Sequence, residues 1–484
     1  MIDRRTWNRV FAIAALVSFA LLLAACGGSS STKSSSAAGG ASGADAAPAD
    51  AAVFVSVNTD LSSSQWQTVD KLLDKFPGKE KTLADARTSF ETDSGLNWET
   101  DVKPALGPEL DFVVLDASDT GGGVALTQPK DQGKFDALVA KANAKKAGSL
   151  VTEKVGDWTV ISDKQASIDT YKTRASAKKL SDDETFKTAT GELSGDALAK
   201  VYVNGPKVQT ALESRAGAAA QGTFEWAVAE LVAQDDGVKL DGTYKGQPLK
   251  GVEQPAAYSP KLLESVPTGA LLVLDFKGGS SLDSLDSAGS SVPQLQGVMG
   301  FVKQLAPIFK NETVLSVSPG TPFPAVMLVA EPSNPQQAVA ALDGLVAQFG
   351  ALAGGATAQP TTIGGHAVKE LNLGQFAVDY GVVDGKLVVT SSRQAIASFG
   401  QGASINDDAD FKDAKSASGM PDTISALMYV NLKAGLPLIE SLSQLSGTTI
   451  PPDQSENLRP LTSFIAYGTG DSGTGKFTAF LQIK

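Results

Sequence analysis

Cysteine and histidine are almost absent from this chain of 484 residues, which contains one of each. A single cysteine excludes an intramolecular disulfide and any metal site built from several thiolates. A single histidine leaves little material for a proton shuttle, which is the usual role of histidine in hydrolases because its pKa lies near neutrality. The formal charge of −12 argues against nucleic acid as a partner and against broad electrostatic adhesion to anionic lipid.

Long hydrophobic runs are also lacking, except near the N-terminus. Val10–Leu23 is an apolar run of 14 residues that is interrupted only by Ser18 and preceded by three arginines. A helix that crosses a bilayer needs about 20 residues, so this order indicates a signal peptide over residues 1–25 rather than a permanent span. Its removal takes away three Arg and one Asp and leaves a more acidic chain.

Leu23-Ala24-Ala25-Cys26 resembles the bacterial lipoprotein box. The resemblance implies cleavage between Ala25 and Cys26 and attachment of diacylglycerol to the Cys26 thiol, and an ordinary secretory signal with an incidental cysteine is the alternative. Two acyl chains supply what stable anchoring requires. Residues 26–49, rich in Gly, Ser and Ala, then predict a flexible tether that holds the folded part on the extracytoplasmic face of the membrane.

The rest of the chain reads as two similar halves, residues 50–250 and 258–484. Four sequence matches occur in the same order, at separations that drift only from 218 to 229 residues: DAAVFVSVNTD with TGALLVLDFKG, WTVISDKQASID with LVVTSSRQAIAS, DDETFK with DDADFK, and the segments around each YVN. Strand and helix patterns mix without regular alternation. The predicted fold is therefore α+β, in two tandem related copies with mainly antiparallel sheets flanked by helices.

Hydrophobic spacing predicts particular elements in each half. Asp384-Gly385 between alternating apolar residues predicts a tight hairpin, and Asp163 and Ser392 are candidate helix N-caps. The remaining predictions are strands at 53–57, 271–276, 112–115 and 326–329, helices at 134–144 and 336–349, and amphipathic helices carrying Trp66, Val69, Leu72, Leu73 and Phe76 in the first half and Leu295, Val298, Met299, Val302 and Leu305 in the second.

The lipoprotein box, the apolar strand that opens each half, the D-D-x-x-F-K helix start and the Y-V-N strand together resemble the family called domain of unknown function thirty-three fifty-two. The likeness covers nearly all of the chain after the signal peptide. It implies a bacterial, often actinobacterial, surface lipoprotein. Because the family has no established activity, the resemblance implies no catalytic residue.

Three motifs suggest chemistry, and each has a better structural interpretation. His366 follows Gly364-Gly365, which predicts a turn that leads into a strand. Gly470–Lys476 fits G-x-x-x-x-G-K, but Phe477 stands where Ser or Thr binds Mg²⁺ and an alternating strand follows, so we expect a hairpin. Ser176-Ala177-Lys178-Lys179 fits the S-x-x-K of penicillin-binding enzymes, but no K-T-G triplet supports it.

Two acidic clusters, 182–184 and 407–410, raise the question of a metal site. Neither contains the EF-hand loop pattern, and carboxylates also favour the positive end of a helix. We therefore expect helix starts, and the sequence predicts no metal and no cofactor. A convergent carboxylate pair for glycoside hydrolysis stays open, although Trp66 and Trp226 have the spacing of helical core residues.

Charge density distinguishes the two halves. Residues 51–257 contain 24 Lys/Arg and 31 Asp/Glu, whereas residues 258–484 contain 13 and 19. The second copy, or the seam between copies, is therefore the predicted site for an apolar or peptide ligand, against the alternative of a neutral polar face. The predicted function is a non-enzymatic, membrane-anchored binding or envelope-scaffold protein with an unidentified envelope ligand or protein as partner. A cell-envelope hydrolase that uses a convergent carboxylate pair is the alternative.

Overall fold

The structure divides into two compact units. The computed structural model describes residues 42–117, 122–145, 150–216, 222–247, 256–278, 308–320, 323–350, 355–374, 376–445, 450–471 and 473–484. Unit 1 runs to Gly246 and also includes Lys484, and unit 2 is Gln247–Ile483. The predicted signal peptide, Ala25 and Cys26 lie outside the described residues, as does the amphipathic segment from Leu295 to Leu305.

Unit 1 is built around an antiparallel sheet. Its strands are β1 (Val53–Asn58), β2 (Glu109–Val114), β3 (Gly123–Thr127), β4 (Val151–Val155), β5 (Trp158–Ser162), β6 (Ala199–Asn204), β7 (Thr223–Gln234) and β8 (Gly237–Gln247). Strand pairing gives the order β4-β5-β3-β2-β1-β6-β7, with every pair antiparallel.

The helices of unit 1 lie between these strands in the chain. They are α1 (Ser64–Leu73), α2 (Lys79–Ser94), α3 (Gln132–Lys145), α4 (Gln165–Ala175), α5 (Glu184–Thr190) and α6 (Gly205–Ala216), with short helical turns at Gly43–Asp45, Trp98–Val102, Lys103–Ala105 and Leu180–Asp182. The predicted spacing is confirmed for Trp66, Val69 and Leu72, which are the buried apolar residues of α1. Leu73 is half-buried at the end of the helix, and Phe76 lies beyond it. The Trp66 indole donates to the Asn58 carbonyl at 2.9 Å, which fixes α1 against the end of β1.

Unit 2 contains a longer antiparallel sheet. Its strands are β9 (Leu272–Lys277), β10 (Glu312–Ser318), β11 (Ala325–Ala330), β12 (Ala358–Ile363), β13 (His366–Asn372), β14 (Ala377–Val383), β15 (Lys386–Thr390), β16 (Ala426–Asn431), β17 (Leu461–Asp471) and β18 (Thr474–Ile483). They pair in the order β12-β13-β14-β15-β11-β10-β9-β16-β17-β18, again with antiparallel neighbours throughout.

The helices of unit 2 are α7 (Pro335–Gly350), α8 (Arg393–Ala397), α9 (Ala409–Ser418), α10 (Leu432–Leu445) and α11 (Pro452–Leu458), with short helical turns at Leu262–Ser265 and Ile405–Asp407. The predicted turn between β14 and β15 is confirmed. Asp384 and Gly385 both have positive φ, at 47° and 78°, and such a turn matches the twist of the paired strands.

Each unit has a large apolar core on one face of its sheet and a smaller buried cluster on the other. The smaller cluster of unit 2 includes Ala338 of α7 and packs against Leu328 of β11. In unit 1, Phe54 of β1 and Tyr202 of β6 contribute to a buried cluster together with Phe186 of α5. In unit 2, Val273 and Tyr429 occupy the corresponding strands β9 and β16 and pack with Phe411 of α9. In both units the aromatic side chain of the short helix meets the tyrosine ring edge-on, with centroids 5.0 Å apart.

The two D-D-x-x-F-K segments begin helices, as predicted. Asp183 is the N-cap of α5 and accepts from the backbone N–H groups of Thr185 and Phe186, while Asp408 caps α9 by accepting from Phe411. The acidic side chains therefore satisfy backbone donors that the helix itself leaves unpaired.

Four local predictions differ from the structure in whole or in part. Asp163 does not cap α4, whose N-cap is Lys164 and has no side-chain cap, and Ser392 occupies the N-cap of α8 without making the hydrogen bond. Trp226 is buried but lies on strand β7 rather than on a helix. The predicted tether ends earlier than Ala49, because Ala44, Ala46 and Ala47 are buried in the core of unit 1.

The predicted α+β class with antiparallel sheets is confirmed by these elements. Among the described residues, no helix has both the length and the apolar composition needed to cross a bilayer.

Candidate functional site

A carboxylate pair lies inside unit 1, at positions that the sequence interpretation did not single out. Glu109 and Asp111 are alternate residues of β2, so their side chains project to the same face of the sheet. The segment Ser42–Ala47, here called the leading segment of unit 1, packs over them. Its Gly43 N–H donates to Glu109 Oε1, and Asp111 is fully buried beneath it.

Gly43 is required by this packing. A Cβ atom at Gly43 would lie 1.8 Å from Asp111 Oδ2, which is far inside van der Waals contact. On the other side of the leading segment, the Tyr171 hydroxyl of α4 donates to the Ala46 carbonyl at 2.9 Å. The segment is thus held between the carboxylate pair and α4.

The buried position of Asp111 controls its protonation. Burial raises the pKa of the Asp111 carboxyl well above its usual range, and the negative charge of Glu109 raises it further. Neither Asp111 oxygen makes a well-formed hydrogen bond among the described residues, and the nearby Ser56 hydroxyl lowers the pKa of Asp111 less than burial raises it. A neutral carboxyl costs far less to bury without partners than a carboxylate does, so the docked arrangement favours the protonated acid.

Unit 2 contains a similar pair. Asp275 of β9 is 1% exposed, and the Tyr258 hydroxyl donates to its Oδ1 atom. The Leu262 N–H donates to Glu312 Oε1 on the neighbouring strand β10. Burial raises the pKa of Asp275 to about 7, while the hydrogen bond from Tyr258 opposes the rise. Tyr258–Val266, here called the leading segment of unit 2, covers this pair.

Burial limits the chemistry that these carboxylate pairs can perform. A carboxyl that is 0% or 1% exposed, such as Asp111 or Asp275, does not contact a dissolved substrate while its leading segment is docked. The described residues also contain no group of three or more His, Cys, Asp or Glu side chains placed to hold a metal ion. The sequence feature that could have revealed these pairs is an aspartate between apolar residues in a predicted strand, as in ELDFVV and LVLDFK.

The second feature is an apolar surface on the sheet of unit 2, on the face opposite its core. Two adjacent rows of directly paired residues cross six strands from β11 to β18. The first row is Leu328, Leu315, Leu274, Met428, Ala466 and Ala479, and the second is Val326, Val317, Leu272, Val430, Phe464 and Leu481. None of these twelve side chains is fully buried, and none is polar. We call these two rows the apolar face.

Exposure is greatest at three positions on or beside this surface. Val326 is 42% exposed at the β11 end, and Met428 is 38% exposed on β16. Phe477, which is 40% exposed, lies beside the first row on β18, because its partner Gly468 is two residues from Ala466. Neighbouring apolar side chains that remain in contact with water are typical of a binding surface.

A polar depression of about 240 Å³ lies between α10 and α11 and is lined in part by Glu440, Ser455 and Arg459. The Ser455 hydroxyl donates to Glu440 Oε1 there. Because charged and hydroxyl side chains form much of its lining, this depression suits an apolar ligand less well than the apolar face does.

The structure places the motif residues as follows. His366 is the first residue of β13 and follows Gly364 and Gly365, whose φ angles are 59° and 88°, so the predicted turn into a strand is confirmed. Gly470–Lys476 spans the turn between β17 and β18, also as predicted. Ser176 is the C-cap of α4.

Lys178, in the same S-x-x-K motif, lies 3.3 Å from the Asp183 carboxylate. The three motifs lie on different elements, at the end of α4, at the start of β13 and in the turn between β17 and β18. Cys26 and Ala25, the residues on which the anchoring prediction depends, lie outside the described residues.

The fold and its sites define an α+β protein with antiparallel sheets. Residues 123–483 match the family described as "Protein of unknown function (DUF3352)", so the chain belongs to that family. The D-D-x-x-F-K and Y-V-N segments lie within the match, whereas the lipoprotein box and the opening strand of the first half lie outside it. Solved structures similar to the chain include crystal form IV of TP0453, at 14% identity and a TM-score of 0.25 over 43% of this chain and 75% of that one. Crystal form III of TP0453 also has 14% identity and a TM-score of 0.25, over 45% and 78%. A search of curated proteins found no match.

Proposed function

We propose that this protein is a lipoprotein anchored to the extracytoplasmic face of the cell membrane, with a non-enzymatic binding role. Its two units are related copies, and the apolar face of unit 2 binds an apolar ligand. The observation that carries the binding role is the pair of apolar rows, which are continuous across six strands and contain no charged side chain.

Support for the anchor comes from the order of segments that ends at Cys26. The docked leading segment of unit 1 shortens the predicted tether, since Ala44, Ala46 and Ala47 are buried in the core. Residues 27–41 then reach at most about 50 Å when fully extended. An anchored protein of this kind stays close to the bilayer, which is itself a source of apolar ligands.

Support for related copies comes from topology and from particular hydrogen bonds. The order β4-β5-β3-β2-β1-β6-β7 recurs in unit 2 as β14-β15-β11-β10-β9-β16-β17, to which unit 2 adds the hairpin of β12 and β13.

The leading segments provide the more specific comparison. The Gly43 N–H donates to Glu109 in unit 1, and the Leu262 N–H donates to Glu312 in unit 2. Four residues later in each segment, a carbonyl accepts from the start of a short helix: Ala47 from Leu180 and Val266 from Ile405, both at 2.8 Å. Two unrelated folds have no reason to repeat this pair of contacts at the same spacing.

The anchor is tested by growing cells that express the full chain with an alkyne fatty acid. We expect label on the wild-type protein in the membrane fraction and none on Cys26→Ala. An unlabelled wild-type protein that fractionates with the cytosol would refute the anchor while leaving the binding proposal open.

The binding role is tested by native mass spectrometry of the protein purified from its own host, followed by extraction of any bound molecule. We expect an apolar ligand whose occupancy falls at least tenfold in the double variant Met428→Glu/Phe477→Glu, because a buried carboxylate opposes apolar contact. Leu212→Glu, at an apolar position of unit 1 that is 56% exposed, is the matched control and should keep the ligand. Equal occupancy in all three proteins would contradict the assignment of the apolar face.

A further inference from the structure

The leading segment of unit 1 closes over a buried acid. Asp111 is fully buried, and neither of its oxygens makes a well-formed hydrogen bond among the described residues, although the Ser56 hydroxyl lies close enough to lower its pKa. Gly43 packs directly on Oδ2, so the leading segment is the layer that separates this carboxyl from solvent on that side.

We propose that the leading segment of unit 1 is a pH-sensitive switch, which stays docked while the Asp111 carboxyl is neutral and undocks when that carboxyl ionises. A charged Asp111 would stand unsolvated beside the Glu109 carboxylate. Displacing the leading segment admits water to both groups, which offsets the hydrogen bonds that are lost from Gly43 to Glu109, from Tyr171 to Ala46 and from Leu180 to Ala47.

The groups around Asp111 set the direction of the switch. Glu109 lies beside it on β2, Ser56 faces it across the pair of strands β1 and β2, and the Tyr171 phenol approaches from α4. Asp45 of the leading segment is exposed and bonds to the Ser42 N–H. The nearest cation of α4, Arg174, is committed to the Leu115 carbonyl and to Asp50. Lys200, which pairs with Ser56 across β1 and β6, donates to the Gly195 carbonyl at 2.9 Å. None of these cations makes an ion pair with Asp111, so undocking follows as the pH rises.

Undocking has a mechanical consequence that rests on the proposed anchor. Release of Ser42–Ala47 adds six residues to the tether and about 20 Å to its full reach. Unit 1 would then move farther from the bilayer when the surroundings become more alkaline.

The test is hydrogen exchange of the full chain, read by mass spectrometry on the peptide that covers residues 43–51, with intrinsic exchange rates corrected for pH. Between pH 5 and pH 9 we expect the wild-type peptide to lose at least about tenfold in protection. Asp111→Asn should keep its protection at both pH values. Glu109→Gln should move the midpoint to lower pH, because one charge that opposes ionisation of Asp111 is gone. Asp275→Asn, in unit 2, is the control and should follow the wild type.

Gly43→Ala provides a second variant that does not depend on the titration. Its Cβ prevents docking, so the leading segment should exchange rapidly at both pH values while the amides of β1 and β2 stay protected. Wild-type protection that does not change with pH would overturn the proposal, as would an Asp111→Asn protein that loses protection like the wild type. A Gly43→Ala protein with a fully protected leading segment would contradict the close packing on which the proposal rests.

Discussion

Asp275→Asn removes an ionisable group from the interior of unit 2 with little change in shape. The asparagine side chain has nearly the same size, and its oxygen can still accept the hydrogen bond that the Tyr258 hydroxyl donates to Asp275. The variant therefore isolates the cost of ionising this one buried group.

The magnitude follows from the pKa. Burial raises the pKa of the Asp275 carboxyl from 3.8 to about 7, so the folded protein holds this proton more tightly than the unfolded chain does. Stability from this group is fully present below the unfolded pKa and is lost as the pH rises through the folded pKa. One pKa unit corresponds to 1.36 kcal/mol, which gives a loss of about 4 kcal/mol between pH 4 and pH 8 that Asp275→Asn should not show.

The assay compares urea unfolding of the wild type and the variant at several pH values between 4 and 8. All five tryptophans precede unit 2 in the sequence, so tryptophan fluorescence follows unit 1, whereas far-UV circular dichroism follows both units. The part of the circular dichroism change that tryptophan fluorescence does not show therefore reports the unfolding of unit 2. Asp422→Asn, at an exposed position of the same unit, serves as the control and should follow the wild-type pH profile.

Parallel stability profiles for the wild type and Asp275→Asn across this pH range would refute the reasoning. They would mean that Asp275 ionises without cost, and hence that water reaches it or that the leading segment of unit 2 does not cover it. A change in the fluorescence signal alone would also be inconsistent, because it would place the effect in unit 1.

Three further predictions concern the framework. Replacing the N-cap Asp408 by Ala should lower the free energy of unfolding of unit 2 by about 1 kcal/mol, because the Phe411 N–H loses its acceptor. Urea titration measures this loss, and an unchanged free energy of unfolding would contradict the cap. Phe411→Ala should cost about 3–5 kcal/mol, since the ring is buried against Tyr429, and a loss below about 1 kcal/mol would contradict a close-packed core. Gly385→Ala should lower the stability of unit 2 by about 1 kcal/mol because φ is 78° there, and a melting temperature at or above that of the wild type would contradict the turn geometry.

Several elements could be predicted because their signals are local. The Asp384-Gly385 turn depends on two residues that tolerate positive φ, and the spacing of Trp66, Val69 and Leu72 reflects the period of a helix. The D-D-x-x-F-K starts combine a cap and a core aromatic residue within four positions. None of these interpretations needs information from a distant part of the chain.

The leading segment of unit 1 was misinterpreted because its composition is ambiguous. Glycine and alanine suit a flexible tether, but they also suit a segment that must pass close to a sheet. Gly43 meets Asp111, which is 68 positions away in the sequence, and no local pattern reports such a contact. The same limit applied to Asp163, where the helix began one residue later than the capping pattern indicated.

The sequence by itself determined the α+β class, the membership of the family and the positions of most strands and helices, because these depend on periodicity and on short motifs. Only the tertiary structure decided which side chains lie together. It brought Glu109 and Asp111 under the leading segment, placed Asp275 beside Tyr258, and aligned apolar residues from six strands into one surface. Strand order and register are set by contacts between residues far apart in the chain, and each site in this protein depends on that order.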